Sequence, residues 1–245
     1  MPEQIRISAK NLGALALPAH CPRCAWLTLR LRHKAPFQIF PGIFSSIDSY
    51  TKRVVHSRFD EHGGRPRWLT ELGDIVGYGE PPHWSHFNLH DRAHNVLLTG
   101  MPDALLIRAD GSFVIGDYKT AKYTGTQDEL LPMYEVQLNA YALIAERRGF
   151  HPVSGLALIY MEPMTDPADA RGRYRDYGFE MGFSAHVLSV QLAPDLINPL
   201  LARVREIHDM PTSPPGRPGC KDCQLVDRLV SLACEPLPDG VAPRN

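Results

Sequence analysis

The sequence predicts an α/β domain with a mixed central sheet flanked by helices, and three observations lead there. Two apolar runs meet at an Asp110-Gly111 turn, an amphipathic stretch opens at Pro132, and Gly155 to Met161 is almost unbroken apolar, as in a strand buried on both faces. Strand and helix patterns that alternate in this way build layered α/β architectures. The 245 residues suffice for one sizeable domain with an appendage. With 44% hydrophobic and 22% charged residues, disordered, collagen-like and coiled-coil classes are excluded. Lys and Arg number 26 against 27 Asp and Glu, a net charge of -1. No global positive field draws the chain to nucleic acid or anionic membrane, so any polyanion site must be a local patch.

Taken in order, Ser8 is placed to cap a short apolar helix through Leu17, where Pro18 stops it. This opening stretch is locally basic: Arg6, Lys10, Arg23, Arg30, Arg32 and Lys34 face only Glu3. A second helix starts near Ser45-Ser46-Ile47-Asp48, keeps Ile47, Tyr50, Val54, Val55 and Phe59 at helical spacing, and stops at Gly63-Gly64. Residues 65 to 91 read as loops with a short strand or two. Asn95 to Arg108, the Asp110-Gly111 turn and Ser112 to Thr120 form a β-hairpin. The helix opened by Pro132 closes at Gly149, and the next strand, over Gly155 to Met161, is central. A strand within Tyr177 to Val190 and a helix from Asn198-Pro199 to about His208 follow, then an extended Pro-rich stretch from Pro211 to Gly219. The expected divisions are 1–45 with CPRC, a core over 46–209, and 210–245 with CKDC. No apolar run approaches the roughly 20 residues of a membrane span, and the start lacks the order of a signal peptide, so the expected compartment is the cytoplasm.

Charged residues within the hairpin need partners or a metal. Register decides whether they converge. A two-residue Asp110-Gly111 turn sends Asp103 and Asp117 to opposite faces. A three-residue loop, Ala109 to Gly111 with Gly111 left-handed, pairs Arg108 with Ser112 and so Asp103 with Asp117, putting Lys119 on the same face. Two adjacent carboxylates repel unless a cation sits between them, and their oxygens suit Mg²⁺ or Mn²⁺. A lysine beside such an ion orients water and stabilises charge on a phosphoryl oxygen. Gln137 and Tyr141, four apart on one helical face, can hydrogen-bond to phosphates or catalytic groups from behind the hairpin.

Gly100-Met-Pro-Asp103, Asp117-Tyr-Lys119-Thr120 and Gln137-Leu-Asn-Ala-Tyr141 resemble, in order and placement, the motifs of the PD-(D/E)XK nuclease superfamily in its RecB-like branch. That branch also contains the CRISPR-adaptation nucleases, and many of its members act in recombination or repair. The resemblance, strongest from Gly100 to Tyr141, implies a restriction-endonuclease-like core over 46–209 and metal-dependent hydrolysis of DNA, more often single-stranded or free-ended. Asp103 and Asp117 would be metal ligands, Lys119 would position or activate water, and Gln137 and Tyr141 would support the substrate. The family also implies a further ligand, often histidine, from the helix before the sheet. His56 is the best-placed candidate, with His90 and His94 as competitors.

Cys21, Cys24, Cys220 and Cys223 form two Cys-x-x-Cys pairs, with Cys234 left over. In a reducing compartment this set suggests structural Zn²⁺ or an iron-sulfur cluster tying the chain's ends together. Relatives in the resembling family use one cysteine before the core and three after it. Here the third is missing near Leu229, so two quartets stay open: both pairs together, which short chelates favour, or Cys21, Cys220, Cys223 and Cys234.

His83, His86, His90, Asp91 and His94 have spacings that would suit a separate metal, and Arg171-Gly-Arg-Tyr-Arg175 interleaves charge with an aromatic as phosphate and base contacts require. No P-loop or dinucleotide fingerprint occurs, which speaks against an ATPase. The expected function is a divalent-metal-dependent deoxyribonuclease with DNA as partner and no membrane. The alternatives are a non-catalytic nucleic-acid-binding module with a structural metal, and an enzyme on another substrate.

Overall fold

Strand β1 (Ile5–Ser8) ends on Ser8, whose hydroxyl accepts the Asn11 N–H at 3.2 Å and caps helix α1 (Ala9–Gly13). The cap is where the sequence puts it, but the preceding strand is too short to show a period, and the helix passes into a single 3₁₀ turn. The computed structural model describes residues 3–34, 41–125 and 129–235; parts of the two flanking segments expected at 1–45 and 210–245 lie outside the described residues. Helix α2 (Pro22–Arg30) begins with Pro22 in its first turn, and α3 (Gly42–His62) ends at Gly63, held left-handed at φ 64°.

The chain then lays down β2 (Ile75–Gly79), β3 (Asn88–Asp91), β4 (Val96–Thr99), β5 (Ala104–Arg108) and β6 (Phe113–Lys119). Asn95 to Arg108 is therefore not one strand, as expected, but two in different sheets. The segment Gly100 to Asp103 breaks it, because Pro102 cannot donate to a ladder. Helix α4 (Leu131–Arg147), β7 (Val153–Pro163), the single turn α5 (Pro167–Ala170), a small hairpin β8 (Tyr174–Arg175) and β9 (Gly178–Phe179), and β10 (Phe183–Val190) follow. Helix α6 (Ile197–Asp209) has Leu196, not Asn198, at its cap position. Helix α7 (Lys221–Cys234) follows the Pro-rich stretch and was not among the expected elements, although Leu225, Val226, Leu229, Val230 and Ala233 recur at helical spacing; Leu225, Leu229, Val230 and Leu232 are exposed.

The main sheet runs β10-β7-β6-β5-β2, antiparallel throughout except for the parallel β6–β7 pair that α4 connects. A second sheet runs β1-β4-β3. The β5–β6 loop is the three-residue form: Arg108 N–H donates to Ser112 at 2.9 Å, Gly111 sits at φ 83°, and Ala104 pairs with Gly116. Alternation along the strands then splits the core. Leu105, Ile115, Leu156 and Leu158 pack with α4, α6 and the small sheet, whereas Leu106, Val114, Ala157 and Ile159 meet Val55 and Phe59 of α3. Gly13 lets α1 lie directly on α4, since a β-carbon there would fall on the Met133 carbonyl. Among the described residues no helix is long and apolar enough to cross a membrane.

Candidate active site and cysteine centre

At the end of the main sheet where Lys119 leaves β6, α3 and the first turns of α4 approach from opposite faces. Asp117 and Lys119 lie on the α4 side of β6, the odd-numbered face that also carries Ile115. Asp117 is buried. Its Oδ1 accepts the Gln137 amide at 3.0 Å, and the same Gln137 nitrogen donates to the Tyr141 hydroxyl at 2.8 Å. Its Oδ2 is ion-paired with the Lys119 ammonium, which in turn sits 4.3 Å from the centre of the Tyr134 ring. Gln137 and Tyr141 thus meet as their four-residue spacing predicts, and Tyr134 adds a contact from one turn earlier.

Asp103 precedes β5 rather than lying inside it. Its Oδ2 accepts the Tyr118 backbone N–H at 2.9 Å, and its Oδ1 accepts Lys52 Nζ at 2.8 Å. Lys52 also reaches Asp48 Oδ2 at 3.0 Å, one helical turn back on α3. Burial first, and then the nearby Asp117 charge, push the Asp103 carboxyl above the usual range. Asp48 moves up likewise, through burial and the Asp103 charge. For Lys52, burial is the largest influence and favours the neutral form, but the charges and hydrogen bonds of Asp103 and Asp48 together outweigh it, and the ammonium is made more basic. Burial and Asp117 hold the Tyr141 phenol well above its ordinary value. Asp48, Asp103, Tyr118, Lys119 and Tyr134 line a cleft of about 490 Å³ that opens to solvent.

From α3, Asp48 lines the cleft and Lys52 pairs with both Asp48 and Asp103, and sequence reasoning missed both. Their signal was an acid four residues before a base, the ordinary mark of a surface helix pair. His56 lies one turn further on, stacked on Tyr78 at 3.8 Å and 3.4 Å from Glu80, and does not line the cleft. His90 pairs with Asn95, and His94 with Asp91, at the small sheet. The histidine-rich loop gathers no three ligands among the described residues. In the Arg171 to Arg175 stretch, Arg175 is engaged by Glu180 at 2.6 Å while Tyr174 stays exposed.

Asp103 Oδ1 at the cleft and the buried Asp117 Oδ2 beside the cleft residue Lys119 are hard oxygen donors, and that donor set fits Mg²⁺ or Mn²⁺. Among the described residues, no three carboxylates of this site each bring an oxygen within 4.8 Å of the others, so water would complete the coordination.

The cysteines meet more tightly. Cys21, Cys24, Cys220 and Cys223 place their sulfurs within 4.8 Å of one another, with neighbouring pairs at 3.5 to 3.6 Å. A tetrahedral ion with metal–sulfur bonds of about 2.3 Å requires sulfur–sulfur edges of about 3.8 Å, so the quartet fits one four-coordinate ion. Cysteines that each bind a different iron of a cluster must stand farther apart. Cys234 is exposed at the end of α7 and outside the quartet, which removes the second arrangement. At Cys21 burial opposes ionisation, but N–H donors led by Arg217, 3.2 Å from the sulfur, bring the thiol down to about 6. An Arg23–Asp227 ion pair also joins α2 to α7.

Among solved structures, the chain is similar to "Crystal structure of SSO0001", with a TM-score of 0.43 and 14% identity over 86% of this chain and 80% of that one. A search of curated proteins finds no match. The profile of the PD-(D/E)XK nuclease superfamily matches residues 15–228, a span that takes in the cleft and all four clustered cysteines. The chain belongs to the PD-(D/E)XK nuclease superfamily.

Proposed function

We propose that this protein is a divalent-metal-dependent nuclease that hydrolyses DNA phosphodiesters at the Asp103–Asp117 cleft. The observation that carries the reading is Asp117 itself: a buried carboxylate with one oxygen fixed by Gln137 and the other ion-paired with Lys119. The order of the three motifs supports the RecB-like branch, and with it single-stranded or free-ended DNA as substrate. Asp103 and Asp117 would hold Mg²⁺ or Mn²⁺, with Asp48 rather than His56 as the carboxylate that α3 supplies. When bound, the ion supplies charge neutralisation at the scissile phosphate and a more acidic water. Lys119 faces the same position, where its ammonium can orient that water and stabilise developing negative charge. Gln137 and Tyr141 keep the Asp117 carboxylate from rotating. The cysteine quartet would hold Zn²⁺ as a structural tie, in preference to an iron-sulfur cluster, on the strength of the sulfur spacing.

The basic N-terminal segment, which a purely binding module would use, is partly engaged within the fold. Arg23 pairs with Asp227, Arg32 with Glu3, and Arg30 donates to the Met210 carbonyl.

Cleavage of end-labelled single- and double-stranded DNA with Mg²⁺ or Mn²⁺ tests the reading. Wild-type protein is expected to give metal-dependent products, and Asp117→Ala to lose them. Full activity in Asp117→Ala overturns the assignment, while salt-sensitive binding by both proteins without cleavage identifies a binding module.

A further inference from the structure

Lys52 stands where a cation is needed. It lies one helical turn from Asp48, beside the two cleft carboxylates, and its ammonium bridges Asp48 Oδ2 at 3.0 Å and Asp103 Oδ1 at 2.8 Å. The other Asp103 oxygen is committed to the Tyr118 N–H. Asp103 Oδ1 is thus the oxygen that an incoming ion and Lys52 both require. A divalent ion and an ammonium on one oxygen repel, and this repulsion is strong where side chains are largely shielded from water, as Lys52 and Asp103 are at 24% and 20% exposure. Lys119 sits separately against Asp117, so the site carries two ammonium groups among three carboxylates.

We propose that Lys52 is a resident counter-cation of the carboxylate site that competes with the divalent ion for Asp103 and Asp48, and so sets the metal concentration at which the site fills. This rests on the nuclease reading, because it takes Asp103 and Asp117 as the metal's ligands. With no ion bound, Lys52 keeps two carboxylates from repelling each other and opening the cleft. Its long stem lets the ammonium swing away when an ion enters, without moving α3.

The test is Mn²⁺ binding to the full chain, followed by the loss of the free-ion signal in electron paramagnetic resonance, with no substrate present. Lys52→Met removes the charge at similar length, Lys52→Gln keeps a donor to Asp103, and Lys52→Arg keeps the charge. Met and Gln are expected to tighten Mn²⁺ binding by ~10-fold or more, the scale for removing a neighbouring unit charge, and Arg to leave it near wild type. Circular dichroism checks each fold, and the Gln variant serves if Met does not fold. Unchanged or weaker binding in the folded neutral variant overturns the competition while leaving the nuclease reading intact. If wild-type protein shows no Mn²⁺ site that Asp117→Asn removes, the metal reading fails and the competition with it.

Discussion

Gly100 lies directly against the ring of Tyr141: a β-carbon built on Gly100 would stand 2.7 Å from Cδ1 and closer still to Cε1. The glycine before Asp103 therefore serves the helix behind the sheet, where Tyr141 shares the Gln137 amide with Asp117. Gly100→Ala is expected to cost ~1–3 kcal/mol through overpacking and to displace Tyr141. Urea unfolding reads the first effect, and cleavage beyond what stability explains reads the second. A fully stable and active alanine variant would show that the ring moves freely.

Lys119 has an aromatic floor. The Tyr134 ring under its ammonium contributes a contact of about 0.5–2 kcal/mol. Tyr134→Phe keeps the ring and should cleave near the wild-type rate. Tyr134→Leu should slow the cleavage step ~2- to 30-fold, with DNA affinity changed less. Equal loss in both variants would point to the hydroxyl instead.

How much of this was legible in the sequence depended on whether a contact was local. The spacing of Gln137 and Tyr141 fixed their shared face and could be read from a short stretch, and the Asp110-Gly111 turn marked the β5–β6 hairpin but left two loop lengths open, of which the structure has the three-residue form. Lys52 and Asp103 are 51 positions apart and belong to different elements, and no periodicity joins them. His56 was preferred because a family pattern favours histidine, yet its stacking on Tyr78 depends on where β2 falls, in a region whose boundaries the sequence left undefined. The break after Thr99 was hidden by an apolar run that continues on both sides of it. It became visible only when β4 and β5 were found in different sheets.

Metal analysis separates the two chemistries at the cysteines. One Zn²⁺ per chain and a colourless protein are expected, and a brown cluster absorbing near ~400 nm would contradict the sulfur spacing. Cys21→Ser or a strong chelator should destabilise the packing of α2 on α7, seen as faster amide exchange in both helices. The exposed Arg23–Asp227 pair should not compensate, because solvent screens it.

His33 gives the fold a pH dependence of definite sign. Burial lowers its pKa, partly offset by an Arg6 backbone contact, and its Nδ1 lies 3.0 Å from the Asn11 amide, which a neutral ring can accept. The unfolded chain takes up the proton more readily, so stability is full above about pH 6.5 and falls as the pH drops below it. His33→Asn suits the local φ of 59° and should lose less stability than wild type between pH 7.5 and 5.5. Denaturation midpoints at the two pH values make the comparison. Parallel losses would show that other groups carry the effect.

The cysteine quartet also has a consequence in time. Cys21 and Cys24 leave the ribosome well before their partners Cys220 and Cys223, which follow almost two hundred residues later. Throughout synthesis the first pair is half a chelate, open to oxidation or to a borrowed ion, while the sheet between can already form. Closure thus waits for the second pair, and a chain released before residue 220 would carry the whole cleft yet have no clasp to hold α2 in place.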